Sequence, residues 1–328
     1  MRYLIIGGAG IFAIHAIKEI LSHKETTKVI SVGRSPKRSN AFTLGVGEGD
    51  ERFSYRQIHL KFEIDFLTDL IDEFKPNFIV NFAALAYATS WYKSSRYYDT
   101  NVSAVSQLCE FLYDKKYLKQ FLQIGSSEIY GPYDYPVKED EKPNPTSPYA
   151  ISKLAADYHM LSLYNRLGFP ANVIRPCNCY GSGQLLYRLV PKALLFGMKN
   201  QKFPLEGGGK AKKSYMHAKD LARAIYMILQ SNKLGKIYNA GVKKPNTIRE
   251  ITECIANHLK IKFDDFFIHA KAREAEDSQY WIDSSLIKSD IGWEPKISLE
   301  EGVEETATWV EKNKEELLKE PFTFTLRA

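Results

Sequence analysis

Long apolar runs are missing from this chain of 328 residues. None approaches the roughly eighteen residues that make a membrane span. The opening MRYLIIGGAG starts a strand at once, without the longer apolar stretch and small-residue cleavage site of a secretory leader. Cysteine is scarce. Cys109, Cys177, Cys179 and Cys254 are too few and too scattered for a disulfide framework. The Cys177–Cys179 pair has no second cluster at zinc spacing, so both read as ordinary thiols, with no metal and a reducing cytoplasm expected. Blocks of one charge are also lacking. The net charge of +6 is spread along the chain apart from GGGKAKKS at 207–214, which argues against a nucleic-acid face and suits one small, multiply charged anion. There is no internal repeat and no low-complexity tract.

What is present is an alternation. Apolar strands are expected at 2–8, 28–34, 77–84, 119–127 and 171–178, and helices at 11–23, 66–74, 102–114 and 147–168. Strands that alternate with helices and are apolar nearly throughout predict an α/β fold with a doubly wound parallel sheet, covered on both faces. Beyond about residue 180 the pattern loosens, with helices at 218–230 and 246–260 around a strand at 236–242. The expected division is a dinucleotide-binding domain over 1–180. Residues 181–328 then form a smaller α/β substrate lobe interleaved with the sheet.

The first strand runs into IIGGAGIFAIHAI, where Gly7, Gly10 and Ala13 have G-x-x-G-x-x-A spacing and Ile11 and Phe12 open a helix. Such glycines let the backbone turn tightly and approach a pyrophosphate, while the helix N-terminus offers unpaired N–H groups to the phosphates. Sites for NAD usually end the second strand with an acid that holds the ribose 2′-hydroxyl. Here Gly33 stands at that place and Arg34 follows, which suits a 2′-phosphate. The expectation is a tightly bound NAD(P), with NADP favoured and NAD the alternative.

Tyr149 and Lys153 form Y-x-x-x-K on the helix of 147–168, on one face at i and i+4. An ammonium beside the phenol is expected to lower its pKa and to hold the cofactor ribose. The phenol then takes a proton from a substrate hydroxyl while hydride leaves the same carbon. Ser126, at the end of its strand, is placed to hydrogen-bond the same oxygen.

Taken together, GGAGIFAIH, NFAA (81–84), TNV (100–102), GSSEIYG (125–131), SPYAISK (147–153), RPCNCYGSGQ (175–184), PLEGGGKAKKSYMHAKDLARA (204–224) and DSQYWIDSSLIKSDIGWEPKISLEEG (277–302) resemble the extended short-chain dehydrogenase/reductase family. The similarity is to its nucleotide-sugar epimerase/dehydratase branch and covers nearly the whole chain. The resemblance implies a Rossmann-type fold, a nucleoside-diphosphate sugar substrate and a triad of Ser126, Tyr149 and Lys153. It implies that Asn101 supports the active-site backbone and that Phe82, Ala83 and Ala84 line the cofactor groove. His59 and Leu60 would approach the adenine, and Pro176 and Cys177 the nicotinamide. Ser127, Asn178, Lys213 and Arg273 would meet the substrate, the last three at its diphosphate. The chain departs from the family pattern at Ala13, which replaces a glycine, at the reversed order of Ile11 and Phe12, at Gly33, and at His59, where an aspartate is common.

Members of this branch begin by oxidising C4 of the sugar. Many 4,6-dehydratases carry Thr-Asp-Glu where this chain has Ser126, Ser127 and Glu128, the acid and base for losing water across C5 and C6. Retention of Glu128 favours a 4,6-dehydratase. A 4-dehydrogenase, a C4 epimerase and a non-catalytic dinucleotide-binding regulator are the alternatives, and loss of the aspartate at Ser127 favours the first of these. The family's dimers pair two helices per subunit in a four-helix bundle. A homodimer is therefore expected through 102–114 and 147–168, with Leu108, Phe111, Leu112, Tyr158, Leu161 and Leu163 as an outer apolar stripe.

Overall fold

The computed structural model describes residues 1–86, 93–271 and 279–322. Seven strands form the central sheet: β1 (Arg2–Ile6), β2 (Lys28–Gly33), β3 (Phe53–Gln57), β4 (Phe78–Asn81), β5 (Gln120–Ile124), β6 (Ala171–Pro176) and β7 (Ile237–Ala240). Every pairing is parallel and the order is β7-β6-β5-β4-β1-β2-β3. The order reverses between β1 and β4, which opens a crevice at the carboxyl ends of the strands, where open α/β sheets bind their ligands.

The longer helices among the described residues are α1 (Ile11–Leu21), α2 (Ile64–Phe74), α3 (Ala104–Leu112), α4 (Pro148–Leu167), α5 (Leu189–Met198), α6 (Ala218–Gln230), α7 (Ile248–His258) and α8 (Leu299–Lys312). One face of the sheet packs α1 and α6 into a core with Tyr3, Ile5, Ile17, Leu221 and Ile225. The other packs α2 and α3, through Leu67, Ile71, Leu108 and Leu112, against Leu4 and Ile79. A third core lies under α5, α7 and α8, and reaches back to the loop after β2, where the Trp309 indole donates to the Ala41 carbonyl at 2.7 Å. The strand expected at 236–242 is β7, which returns to the edge of the central sheet.

Local chemistry sets the element ends. Ser147 caps α4 by accepting from the Ala150 N–H at 3.1 Å, Pro148 opens it, and Gly168 closes it at φ 67°. Two expected boundaries move. β5 stops at Ile124, so Ser126 lies two residues past its end, as the cap of a 3₁₀ turn over Ser127–Tyr130. The helix expected at 102–114 is entered through a π turn, Asp99–Ser103. Leu108 and Leu112 do not form an outer stripe. They are buried in the chain's own core because α3 packs them onto the sheet. The exposed apolar side chains on and beside these helices are Tyr113, Ile151, Tyr158 and Leu167.

Candidate active site

The loop after β1 is pressed against its neighbours. The Gly7 and Gly8 N–H groups both donate to the Val32 carbonyl at 2.9 Å. Gly7 has φ +80°, and a Cβ there would lie 2.5 Å from the Ala83 nitrogen. The Ala83 N–H is in turn held by the Asn81 side chain at 3.1 Å, and Asn81 by Gln123 at 2.9 Å. Gly10 caps α1 without a side-chain acceptor among the described residues. The first-turn N–H groups, including those of Ile11 and Phe12, therefore face the loop with no intrahelical partner. This cradle fits a pyrophosphate.

Gly33 ends β2 and is buried. A Cβ there would meet the Tyr55 hydroxyl at 2.7 Å, and that hydroxyl lies 3.1 Å from the Gly33 carbonyl and also donates to the Ser35 carbonyl. Tyr55 thus occupies the space into which an acidic side chain at 33 would project. Arg34 is exposed. Lys37, Arg38 and Tyr55 line a small cleft beside Gly8 and Ala9. His59 is held by its own turn, its Nδ1 accepting from the Lys61 N–H at 3.1 Å. Burial first, and then the charge of Arg34, push its pKa down. Leu60 beside it is buried.

Asn101 sits in the π turn. Its amide accepts from the Leu85 N–H at 2.8 Å and donates to the Leu85 carbonyl at 3.2 Å and to Ser152 Oγ at 2.9 Å. It clamps the segment after Phe82, Ala83 and Ala84 to α4.

Ser126, Glu128, Tyr149 and Lys153 converge. The Ser126 hydroxyl accepts from the Glu128 N–H at 3.2 Å and stands close enough to the Tyr149 phenol to oppose the rise of its pKa. The Lys153 side chain is buried, and its ammonium donates to the Ile124 carbonyl. Burial pushes its pKa down to about 8 against the opposing charge of Asp157. The phenol departs from expectation. Its pKa is raised, by burial first and the Glu128 carboxylate second, with Ser126 and Arg188 opposing. The physical reason is that the phenol is buried beside the Glu128 carboxylate, while the Lys153 ammonium is turned to the Ile124 carbonyl. The Tyr97 ring meets Tyr149 edge-on at 6.4 Å.

Pro176 ends β6 and Cys177 follows it, its N–H donating to the Ala240 carbonyl at 2.9 Å. Asn178 begins a short strand, Asn178–Tyr180, whose partner is Tyr215–His217, with Tyr215 opposite Asn178. Lys213 lies two residues before that partner, on Lys212–Lys213, opposite Asn246 and Tyr280. Ser127 is buried in the 3₁₀ turn. Arg273 lies outside the described residues.

The sequence reading missed Tyr97, Arg188, Asp157 and Arg175. Asp157 was open to discovery as the next i+4 step from Lys153 on the same helix, and Arg175 as a lone charge inside an apolar strand. Tyr97 and Arg188 reach Tyr149 only through the tertiary fold, and local spacing carries no signal for them.

The sequence profile of GDP-mannose 4,6-dehydratase matches residues 4–306, almost the whole chain. The chain belongs to the GDP-mannose 4,6-dehydratase family. Among this family's relatives, the dTDP-glucose 4,6-dehydratase of Haemophilus influenzae is 24% identical over 332 residues, covering 94% of this chain and 97% of that one. The trifunctional UDP-glucose 4,6-dehydratase/UDP-4-keto-6-deoxy-D-glucose 3,5-epimerase/UDP-4-keto-L-rhamnose-reductase of Arabidopsis thaliana is 25% identical over 317 residues, and this chain spans 47% of its length. The solved structure of dTDP-glucose 4,6-dehydratase from Bacillus anthracis in complex with NAD superposes with a TM-score of 0.86 at 29% identity, covering 96% of this chain and 98% of that one. As a member of this family the protein is an enzyme of the nicotinamide-dependent nucleotide-sugar dehydratase and epimerase class.

Proposed function

We propose that the protein is a nucleoside-diphosphate-sugar 4,6-dehydratase. The observation that carries the reading is the Glu128 carboxylate set close enough to Tyr149 to raise its pKa, within a Ser126–Tyr149–Lys153 arrangement. Tyr149 takes the proton of the C4 hydroxyl, and Ser126 hydrogen-bonds that oxygen as it becomes a ketone. A nicotinamide bound in this crevice would accept the C4 hydride and give it back at C6. Lys153 orients the cofactor ribose and adds positive charge near the phenolate as it forms. The ketone acidifies C5, and Glu128 removes that proton. The same carboxyl, now protonated, gives the proton to the C6 hydroxyl, which leaves as water; after hydride reaches C6, C5 takes a proton from solvent and Tyr149 gives its own proton back to solvent, so the net change is loss of one water. Ser127 contributes a hydrogen bond and no proton, so a single carboxyl serves both steps.

Asn178, Lys213 and Arg273 are the proposed diphosphate contacts, as an amide with two cations suits such a group. Gly7, Gly10, Ile11 and Phe12 would hold the cofactor pyrophosphate. Ala83 and its neighbours, Pro176 and Cys177 hold the remainder. NADP is the proposed form, supported by Gly33, by Tyr55 in the place of an acid, and by Arg34, Lys37 and Arg38 nearby. NAD is the second reading, favoured by the NAD bound in the Bacillus anthracis structure. Chromatography of the dinucleotide released from purified protein decides it, and recovery of NAD(H) alone refutes the first reading. Residues 1–180 serve as the dinucleotide domain and 181–328 as the substrate lobe, with β7 returned to the sheet. A cytoplasmic homodimer is proposed. No helix of the described residues is long and apolar enough to cross a membrane, and the four cysteines are free thiols.

A 4-dehydrogenase or C4 epimerase is the second reading of the reaction, favoured by Ser127 where an acid would assist departure of the C6 hydroxyl. The test is solvent deuterium. With a sugar nucleotide that reduces the cofactor, the dehydratase incorporates deuterium at C5 and loses water. Glu128→Gln then still reduces the cofactor but stalls before exchange. Absence of C5 exchange in the unmodified enzyme removes the dehydratase reading.

A further inference from the structure

Arg175 is 1% exposed in a strand otherwise built of apolar and neutral residues, and Asp157, on α4, is 0% exposed. The Arg175 Nε donates to Asp157 Oδ2 at 2.8 Å. The Arg175 Nη1 donates to the Tyr130 hydroxyl at 2.6 Å and lies 3.4 Å from the Glu139 carbonyl. The Tyr130 hydroxyl donates on to Asn239 Oδ1, on β7, at 3.0 Å. The Glu139 carboxylate closes the circuit by accepting from the Asn239 N–H at 2.7 Å. A buried ion pair is a weak source of stability, because desolvating two charges offsets most of their attraction. The location of this one is specific. A Cβ on Gly125 would stand 3.1 Å from Asp157 Oδ1 and 3.0 Å from Arg175 Cγ, so the pair lies directly behind the Ile124–Gly125–Ser126 segment. Asp157 Oδ1 has no hydrogen-bond partner among the described residues, and Lys153 stands one helical turn away.

We propose that Arg175 and Asp157 are positioning residues of the reaction centre. Arg175 ties the turn that carries Ser127 and Glu128 to the helix that carries Tyr149 and Lys153, and Asp157 provides the counter-charge to the Lys153 ammonium. This rests on the roles given above to Glu128, Tyr149 and Lys153. Tyr130 is the last residue of the turn that begins at Ser127, so its hydroxyl fixes the distance between that turn and β6. The charged groups acting here are Arg175 and Lys153 on Asp157, and Glu128, Arg188 and Asp157 on Tyr149, while Arg175 itself meets the Tyr130 hydroxyl and the Glu139 carbonyl. Asp157 is the charge that opposes the burial-driven fall of the Lys153 pKa.

Two variants of the holoenzyme separate the two roles. In Tyr130→Phe the Arg175 link to the turn is cut. With dTDP-glucose as probe, cofactor reduction should stay within about threefold of the unmodified enzyme and KM within about twofold, while C5 deuterium exchange slows roughly ten- to hundredfold. Arg175→Lys keeps the charge opposite Asp157 but loses the reach to Tyr130, and should show the same split. In Asp157→Asn the Lys153 titration midpoint, followed by ¹³C NMR and assigned with Lys153→Arg, should fall by about one pH unit or more. A Tyr130→Phe enzyme altered only in melting temperature, or slowed equally in both steps, overturns the positioning role. An unmoved Lys153 midpoint overturns the counter-charge role. Absence of C5 exchange in the unmodified enzyme, with a Lys153 midpoint that still moves in Asp157→Asn, counts against the dehydratase reading and supports the Asp157 role.

Discussion

Replacing Gly7 by alanine puts a number on the dinucleotide loop. At φ +80° an L side chain costs about 1–2 kcal/mol from its clash with the following carbonyl. The new methyl would also stand 2.5 Å from the Ala83 nitrogen. That atom is backbone and cannot rotate away, and forced overpacking of this kind costs about 1–3 kcal/mol. The sum, about 2–5 kcal/mol, is below the roughly 5–15 kcal/mol that holds a typical protein folded, so Gly7→Ala should fold. With roughly 2.1 cal/mol/K of unfolding entropy per residue over 328 residues, each kcal/mol lowers Tm by about 1.5 °C. The expected fall is about 3–7 °C. If relief comes from the loop moving off its neighbours, the same energy appears as about 30- to 4000-fold weaker dinucleotide binding. Gly168→Ala is the control. It has φ +67° and nothing within 4 Å of the added methyl among the described residues, so it carries the backbone cost alone, at a helix end remote from the loop. Melting curves with and without added dinucleotide, and calorimetric titration of stripped protein, measure both effects. Equal melting of the two variants with unchanged binding in Gly7→Ala would refute the close approach of this loop to Ala83.

Tyr149→Phe should keep the fold and the bound cofactor and lower turnover by roughly 10²–10⁴-fold, as loss of a general base requires; near-normal turnover removes Tyr149 from that role. Burial lowers the Lys153 pKa from 10.5 to about 8, so the unfolded chain binds more protons than the folded one between those values. Stability should therefore rise with pH across that window, and the rise should be absent from Lys153→Met in urea titrations at pH 8, 9 and 10. Light scattering should give twice the chain mass of 37.5 kDa, and Ile151→Asp with Tyr158→Asp on the exposed face of α4 should return it to that single value. A double variant that stays dimeric would place the interface elsewhere.

The architecture was legible because its strands are apolar on both faces, which leaves little choice but a covered parallel sheet. The Y-x-x-x-K pair was legible because helical spacing alone puts Tyr149 and Lys153 on one side. What the spacing did not disclose was the direction of the Lys153 ammonium, because that depends on where β5 ends. The Ile124 carbonyl, the last of that strand, takes it together with the Gln123 side-chain amide. Leu108 and Leu112 were misread as an outer stripe because a helix packed on a sheet, with a second helix beside it, is apolar over more than one face, and composition does not say which face meets solvent. Tyr55 was invisible for a different reason. Its effect on Gly33 comes from strand pairing, Gly33 with Gln57 and Ser31 with Tyr55, which brings together residues some twenty apart in sequence.

The contact between Gly33 and Tyr55 also constrains how this enzyme could change by mutation. An acid introduced at 33 alone collides with a hydroxyl already bonded to the Gly33 and Ser35 carbonyls, and trimming Tyr55 alone removes the Ser35 carbonyl's donor, leaves the Gly33 carbonyl only the Ile58 N–H, and opens a hole beside the glycine loop. Each single change is a loss, and only the two together exchange one ribose-facing surface for another. Such coupling makes the pair an epistatic lock. On the proposed assignment of this surface to the ribose phosphate, a lineage carrying Tyr55 keeps its dinucleotide preference through drift at 33, and a library that varies the two positions separately will recover neither the swap nor its intermediates.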